Sequence, residues 1–598
     1  MTSQRHSLPH TCRLWLLLLA GFLLLQPGAW PVFARQLCTG GQADYDIIVS
    51  GKASASEKTA ASELAGYLRQ VCGTGFTVRS ARSQRRRGGT DAALPRHIYV
   101  GYDATLPVFA GKTAYADTDE SFEYRTQGED ILIFGGRQRG TMYGVYAFLE
   151  EQLGLRWYTT DYTHIPHTAT PSVPDSLYTV QHPAIPYRLD YCHDAISDNV
   201  WCARNRLNMQ VSPARNAYGD MTAYWGAHTF QKLLPPDEYF KSHPEYFSLR
   251  DGKRTDKGQL CLSNPNVLRL VTERLGRYIL ANPECWGYDV SQNDNQLYCQ
   301  CRDCNALAQR YGGQSGLMLW FVNQVAATIA QTHPGKYVGT LAYEYTRRPP
   351  RDIRPADNVL IRLCDIECCF LHPLDQCQPN KAFISDLQAW HEITDRIFVW
   401  DYLVNFHYYH LPFPNHRVLG PNISLFRQYG VKGILELGAY DANWSDFSEM
   451  RQWITAKLLW NPDLDADSLA HTFITDYYGP AANDIWTYYR QVCDLATPNV
   501  HTDCHADPDE QLYTAAFRRQ SLATLEHAET QALQDPVCLR RVRRVLAQAL
   551  YTRTLLDGAA SLTDGTYLRL KRIIDEDPTT MRERGQTINQ YLLHHGYI

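Results

Sequence analysis

The residues best suited to chemistry in this chain are carboxylates that recur at the ends of short apolar runs. They are Asp294 within Asn293-Asp294-Asn295, then Glu344, Asp365, Glu367, Asp401 and Glu436. Cleaving a glycosidic bond needs a proton donor at the leaving oxygen and a second group that attacks, activates water or orients an internal nucleophile. Carboxylates arriving from different strands can supply both. Any one of them alone reads as a cap or a loop ion-pair partner; their recurrence on successive runs is the signal.

Local surroundings separate the roles. Glu367 lies between Ile366 and Cys368-Cys369-Phe370, where desolvation is expected to raise its pKa toward that of a general acid, so it is the expected proton donor. Asp294 sits between amides whose donors favour its ionised form, which suits a stabilising or orienting role. For both, a buried polar network that only fixes the scaffold is the alternative. Trp400-Asp401-Tyr402, and Glu436 ahead of Leu437-Gly438-Ala439-Tyr440, join acids to aromatic faces that match sugar rings. Asn293, Tyr343, His228 and His372 complete the expected substrate-binding set. Trp400 and Tyr440 serve equally well as packing residues, and a lone histidine is commonly structural.

Other chemistries find no anchor. Neither a GxSxG elbow nor a P-loop occurs, which leaves serine acyl transfer and nucleotide chemistry without a motif. Cys368 with His372 is the remaining nucleophilic pairing. Of 17 cysteines the tightest group is Cys299-Gln-Cys301-Arg-Asp-Cys304. It resembles half of a zinc site and lacks a second half nearby, so disulfides or buried free thiols are expected, and no metal or cofactor is assigned. The neighbours Cys368 and Cys369 cannot readily bridge each other.

The elements that must hold these residues read as an α/β protein: a (β/α)8 barrel preceded by a small α/β domain and followed by a helical C-terminal region. Eight candidate strands cover 187–191, 207–211, 246–249, 286–291, 337–343, 359–364, 397–400 and 431–437, with helical stretches such as 316–331 between them. Chemistry in such barrels sits at the C-terminal strand ends. Ahead of them, runs at 45–49, 97–101 and 131–134 with amphipathic helices at 60–71 and 140–153 make a mixed small domain, with a basic loop at 84–90 and a Pro-rich linker at 164–174. Beyond Trp444 the periodicity is helical and carries no motif. The expected divisions are 1–34, 35–174, 175–460 and 461–598.

Composition narrows the partners. Hydrophobic residues make up 44% of the chain, with 38 Tyr and 13 Trp, enough to fill several cores and leave flat faces for sugars. Arg5 and Arg13 precede an apolar run from Leu14 to Leu25 that ends near Val32-Phe33-Ala34, the pattern of a secretory leader cleaved after Ala34. Leu37 stands where lipid attachment at Cys38 would need a small residue. The expected location is periplasmic, cell-surface or extracellular, with no membrane span in the mature chain. Removing the leader takes the formal charge from −5 to about −7, which leaves no electrostatic footprint for nucleic acid.

Ser291-Gln292-Asn293-Asp294-Asn295 with Cys299, Cys301 and Cys304, then Leu341-Ala342-Tyr343 with Thr346-Arg347-Arg348-Pro349-Pro350, resemble the bacterial domain-of-unknown-function family 4838. So do Ile366-Glu367-Cys368-Cys369, Val399-Trp400-Asp401-Tyr402 and Pro412-Phe413-Pro414-Asn415. Together, from about Tyr187 to Gly479, they are similar to glycoside hydrolase family 163. The small domain resembles the one ahead of α-glucuronidase and hexosaminidase barrels, and Asn443-Trp444 with Leu458-Leu459-Trp460-Asn461-Pro462 resembles the end of the α-glucuronidase barrel. The resemblance implies an endo-β-N-acetylglucosaminidase acting on an oligosaccharide or glycoprotein N-glycan, retaining through the substrate's acetamido group; that chemistry needs an acid and an acetamido-orienting group, which Glu367 and Asp294 could supply. Glu344 and Asp365 stand where Gln and Ser are expected in relatives, which argues against catalytic roles for them. An α-glucuronidase-like or other exo-hydrolase, or a glycan-binding protein without activity, remain as alternatives.

Overall fold

The computed structural model describes residues 34–81, 94–168, 170–210, 212–588 and 590. The expected leader, Ala34 apart, and the basic loop at 84–90 lie outside them. Runs that are apolar on both faces, such as Val359–Cys364, form parallel strands covered on both sides. Eight such strands build a nearly closed barrel: β1 (Tyr187–Tyr191), β2 (Met209–Gln210), β3 (Thr222–Trp225), β4 (Gly287–Asp289), β5 (Tyr337–Ala342), β6 (Val359–Cys364), β7 (Ile397–Tyr402) and β8 (Gly433–Leu437), in the order β1-β8-β7-β6-β5-β4-β3-β2. Between β1 and β2 a side chain bridges the seam: the Arg188 amide donates to Asn208 Oδ1 at 2.9 Å.

Seven of the eight expected strands are present in their places, and one expectation is corrected. Residues 246–249 do not enter the barrel: Pro244–Tyr246 is a 3-10 turn, and Leu249–Arg250 pairs with Lys253–Arg254 in a small antiparallel hairpin. The third strand is instead the four-residue run Thr-Ala-Tyr-Trp at 222–225, too short for its alternation to stand out.

Aromatic side chains close the lower end of the barrel. Tyr187 stacks on Trp286 at 4.8 Å, and Phe398 lies 5.4 Å from Trp286. Gly433 and Gly339 make room for this filling, since a Cβ on the first would enter the Phe398 ring and one on the second the Tyr224 hydroxyl. Above that layer the barrel is open.

The small domain is a six-stranded mixed sheet carrying helices Ala55–Cys72 and Gly140–Leu153. The segment read as a linker belongs to it: Ser172–Pro174 pairs with Ala34–Gln36, and Tyr178–Gln181 extends the sheet. Glu120 fastens this domain to the bottom of the barrel, receiving Arg139 at 2.9 Å, the fully buried Arg188 at 2.5 Å and the Asn208 amide at 2.9 Å. After the barrel, helices from Ser448–Trp460 to Thr566–Glu576 pack alongside, and the chain then returns to the barrel mouth. Among the described residues no helix is long and apolar enough to cross a membrane.

Candidate active site

The open upper half of the barrel encloses a cavity of about 600 Å³. A second cavity, of about 540 Å³, lies at the opposite end beside Glu120 and Arg139; the strands' C-terminal ends, where barrel chemistry resides, face the first. Side chains alternate across a strand, so neighbouring residues point to opposite faces of the barrel wall. Trp400 pairs in register with Leu435, and Tyr402 with Leu437, which in turn pairs with Tyr191; all of these line it. At its floor the Arg362 guanidinium is held between the Tyr224 and Trp400 rings, at 4.6 and 4.7 Å from their centroids. It donates to Gly226 O at 3.0 Å and stands 3.8 Å from the buried Asp289.

The same alternation overturns part of the expected site. Asp401 and Glu436 are register partners on the other face of the wall, joined there by Asp190, which pairs with Glu436. All three are buried, as is Asp365. None lines the cavity, so neither Asp401 nor Glu436 is placed to touch a substrate in it. Burial pushes the Asp190 carboxyl up to about 7 and that of Asp401 to about 6, and drives those of Asp365 and Glu436 upward as well, helped by one another's charge. Burial behind the wall thus shifts all four carboxyls toward the protonated form.

The acids at the mouth come from β4 to β6. Asp294 is exposed, lines the cavity and accepts the Tyr343 hydroxyl at 3.2 Å. The amides beside it are committed elsewhere: buried Asn293 accepts from Gln231 N at 3.1 Å and donates to Gly258 O at 2.9 Å, so it ties loops together instead of facing the cavity. Glu344, at the end of β5, has a φ of +48°, which places a non-glycine residue in the left-handed region. Partial burial raises its carboxyl above the usual range, with the charges of Asp294 and Glu367 acting in the same direction. Glu367 is not desolvated as its neighbours suggested. Its side chain is 50% exposed and is gripped at 2.5 Å by Arg347, which also binds Asp386.

The remaining residues divide. His228, with a φ of +51°, lines the cavity, anchors Nδ1 on Gln292 O at 2.9 Å and meets the Tyr343 ring edge-on at 5.7 Å. Tyr343, Trp400, Tyr402 and Tyr440 line it too. His372 does not: its Nδ1 faces Cys369 at 3.6 Å and Cys377 at 3.7 Å, outside the cavity. Two four-residue groups could hold a metal ion, Cys261-Cys299-Cys301-Cys304 and Cys369-His372-Cys377-His501. The half-site seen in the sequence is therefore completed by a cysteine from a distant segment, and no disulfide forms among the described residues.

Sequence reading missed the contribution of the helical region. Glu583 and Arg584 line the cavity, as does His505 from the loop at 497–508. Glu583 accepts the Tyr440 hydroxyl at 2.9 Å, and the Arg584 amide donates to Asp441 at 2.8 Å. No local pattern marks these residues, because the chain returns to the barrel only after some hundred residues of helix.

A (β/α)8 barrel with an aromatic, acid-rimmed cavity at its C-terminal end is the class that fold and site define. The model of the family described as domain of unknown function (DUF4838) matches residues 157–491, more than half of the chain, and the protein belongs to that family. No curated protein matches its sequence. Among solved structures it is similar to the GH115 4-O-methyl-α-glucuronidase BtGH115A, with a TM-score of 0.55 and 11% identity over 93% of this chain and 78% of that one. It is also similar to CpGH84D, with a TM-score of 0.49 and 10% identity over 91% and 94% of the two chains. For the Flavobacterium johnsoniae chitobiase FjGH20 the TM-score is 0.45, with 12% identity over 92% and 95%. At 11% identity the likeness to BtGH115A is one of fold.

Proposed function

We propose that this protein is an exported glycoside hydrolase, an endo-β-N-acetylglucosaminidase that cuts N-glycans by substrate-assisted, retaining hydrolysis. The observation that carries the reading is Asp294 held by the Tyr343 hydroxyl, both lining a cavity walled by Trp400, Tyr402 and Tyr440, with Glu344 following Tyr343 in the chain just outside that lining. The likeness in sequence to glycoside hydrolase family 163 supports the substrate class. In this reading Glu344 replaces Glu367 as the acid, against the Gln expected at its position in relatives, because it follows the cavity-lining Tyr343 and partial burial raises its carboxyl.

The acetamido oxygen attacks the anomeric carbon while Glu344 gives its proton to the leaving oxygen, and the glycosidic bond breaks. Asp294, held by the Tyr343 hydroxyl, accepts the acetamido N–H and orients it. Water then attacks the anomeric carbon of the cyclised intermediate, the bond from that carbon to the acetamido oxygen breaks to restore the acetamide, and the water loses a proton to the Glu344 carboxylate, which restores the acid.

The test is incubation of the purified protein with N-glycoproteins, free oligosaccharides and glucuronoxylan, read by mass spectrometry. The expected product is a glycan released between core N-acetylglucosamine residues, with inhibition by an N-acetylglucosamine-derived thiazoline that is lost in Asp294→Ala. Saturable binding without product would mark a glycan-binding protein.

One observation favours a second reading. Arg362 at the floor, with Lys232 and Arg584 in the walls, offers cations to an acidic sugar. BtGH115A is described as a 4-O-methyl-α-glucuronidase. Release of a uronic acid with inverted configuration, indifferent to the thiazoline, would establish this reading in place of the first.

A further inference from the structure

We infer that the chain holds two structural zinc ions, one bound by Cys261, Cys299, Cys301 and Cys304, the other by Cys369, His372, Cys377 and His501. In each group the ligand atoms all lie within 4.8 Å of one another. In the first, Cys261 Sγ stands 3.7 Å from Cys301 Sγ and 3.8 Å from Cys304 Sγ. A tetrahedron with Zn–S bonds of about 2.3 Å has edges of about 3.8 Å, whereas a disulfide would need about 2.05 Å. Donors already point at the sulfurs as they do around thiolates: the Leu249 amide reaches Cys299 Sγ at 3.4 Å, the Cys304 amide reaches Cys301 Sγ at 3.4 Å, and Arg254 lies 3.7 Å from Cys299 Sγ.

The second group is carried by a separate observation. His372 Nε2 meets the Thr497 carbonyl at 3.0 Å, and a carbonyl can only accept, so the ring proton is on Nε2. Nδ1 then presents its lone pair, and it faces Cys369 and Cys377 at 3.6 and 3.7 Å. His501 Nδ1 faces the same two sulfurs at 3.4 and 3.6 Å. Zinc with two sulfurs at about 2.3 Å and two nitrogens at about 2.05 Å requires N···S edges of about 3.6 Å. A carbonyl gripping the far nitrogen of a ligand histidine is the usual outer support of such a site.

The two ions would do different work. The first joins the segment before helix Pro265–Ala281 to the loop after β4 that carries Asp294. The second links the loop after β6 to the loop at 497–508, where the Phe370 amide already meets Thr502 O at 3.1 Å. That second loop delivers His505 to the cavity, so the ion fixes a wall of the site without touching substrate.

Full-length protein purified without chelators is expected to carry about two zinc ions per chain by plasma mass spectrometry, falling to about one in Cys304→Ser and about one in His501→Ala. X-ray absorption at the zinc edge should give a first shell averaging about three sulfurs to one nitrogen. His501→Ala should also open the loop at 497–508 to protease while the barrel stays resistant. If either variant fails to fold, the metal content and absorption spectrum of the unaltered protein still decide. A stoichiometry of one or none, iron in place of zinc, or disulfides among these cysteines in the folded protein would overturn the pair.

Discussion

Two rows of carboxyl groups stand near the C-terminal ends of the barrel strands, one after β4, β5 and β6 and the other on β1, β7 and β8 and just after β6, and they lead different lives. Asp294, Glu344 and Glu367 stand at the mouth, in contact with solvent, Tyr343 and Arg347. Asp190, Asp365, Asp401 and Glu436 sit behind the wall, buried, and neither Glu436 oxygen has a hydrogen-bond partner. Nearness to a strand's C-terminal end does not make an acid catalytic; the phase of the pleat decides which side of the wall it serves. The contrast can be broken or sharpened in four ways.

The largest effect belongs to the mouth. Glu344→Gln should lower kcat by about 10²- to 10⁴-fold, the scale of a lost general acid, while Asp401→Asn leaves kcat nearly unchanged. Because the Glu344 carboxyl is raised, the protonated, active form should persist above the usual glutamate value of about 4.3. The alkaline limb of the kcat/KM profile should lie above that value and vanish in the glutamine variant. Equal losses in Glu344→Gln and Asp401→Asn would erase the distinction between the rows.

Next comes stability. In the folded chain Asp190 and Asp401 keep protons that the unfolded chain gives up near pH 4, so their contribution makes stability fall as pH rises from about 4 and levels off above about 7. Asp190→Asn removes part of that loss and should stabilise the protein by on the order of 2–4 kcal/mol at pH 8, with little change at pH 4, by urea unfolding. A variant no more stable than its parent at pH 8 would show that Asp190 is not held protonated.

Trp400→Ala should come third. Loss of a stacking face on the cavity side should raise KM roughly tenfold, about 1.4 kcal/mol, with kcat moving less. The smallest change is expected of Glu367→Gln, no more than a few-fold in kcat/KM, since its carboxylate faces Arg347 and solvent. A drop of a hundredfold would return Glu367 to the role its apolar neighbours suggested.

Much of the scaffold was legible because parallel strands buried on both faces leave long apolar runs, as at Val359–Cys364. Thr222–Trp225 left too few residues for any period to show. At the site, Asp294, Tyr343, His228 and Trp400, singled out from residue type and strand position, line the cavity. Asp401 was misassigned although the answer lay beside it: if Trp400 and Tyr402 face inward, the residue between them cannot. Asn293 and Glu367 were misjudged because their partners, Gly258 and Arg347, come from other segments. His372 and the cysteines could not be grouped because Cys261 and His501 reach them only through the fold.

The return of the chain to the barrel mouth has a consequence for synthesis. Glu583 and Arg584 line the cavity, yet they are translated long after the last barrel strand ends at Leu437. A nascent chain can hold all eight strands and still lack one side of its pocket until Glu583 and Arg584 have left the ribosome. Barrel formation and completion of the site are thus separated in time, and a chain released just short of Met581 would be well folded over most of its length and open where the sugar has to be held.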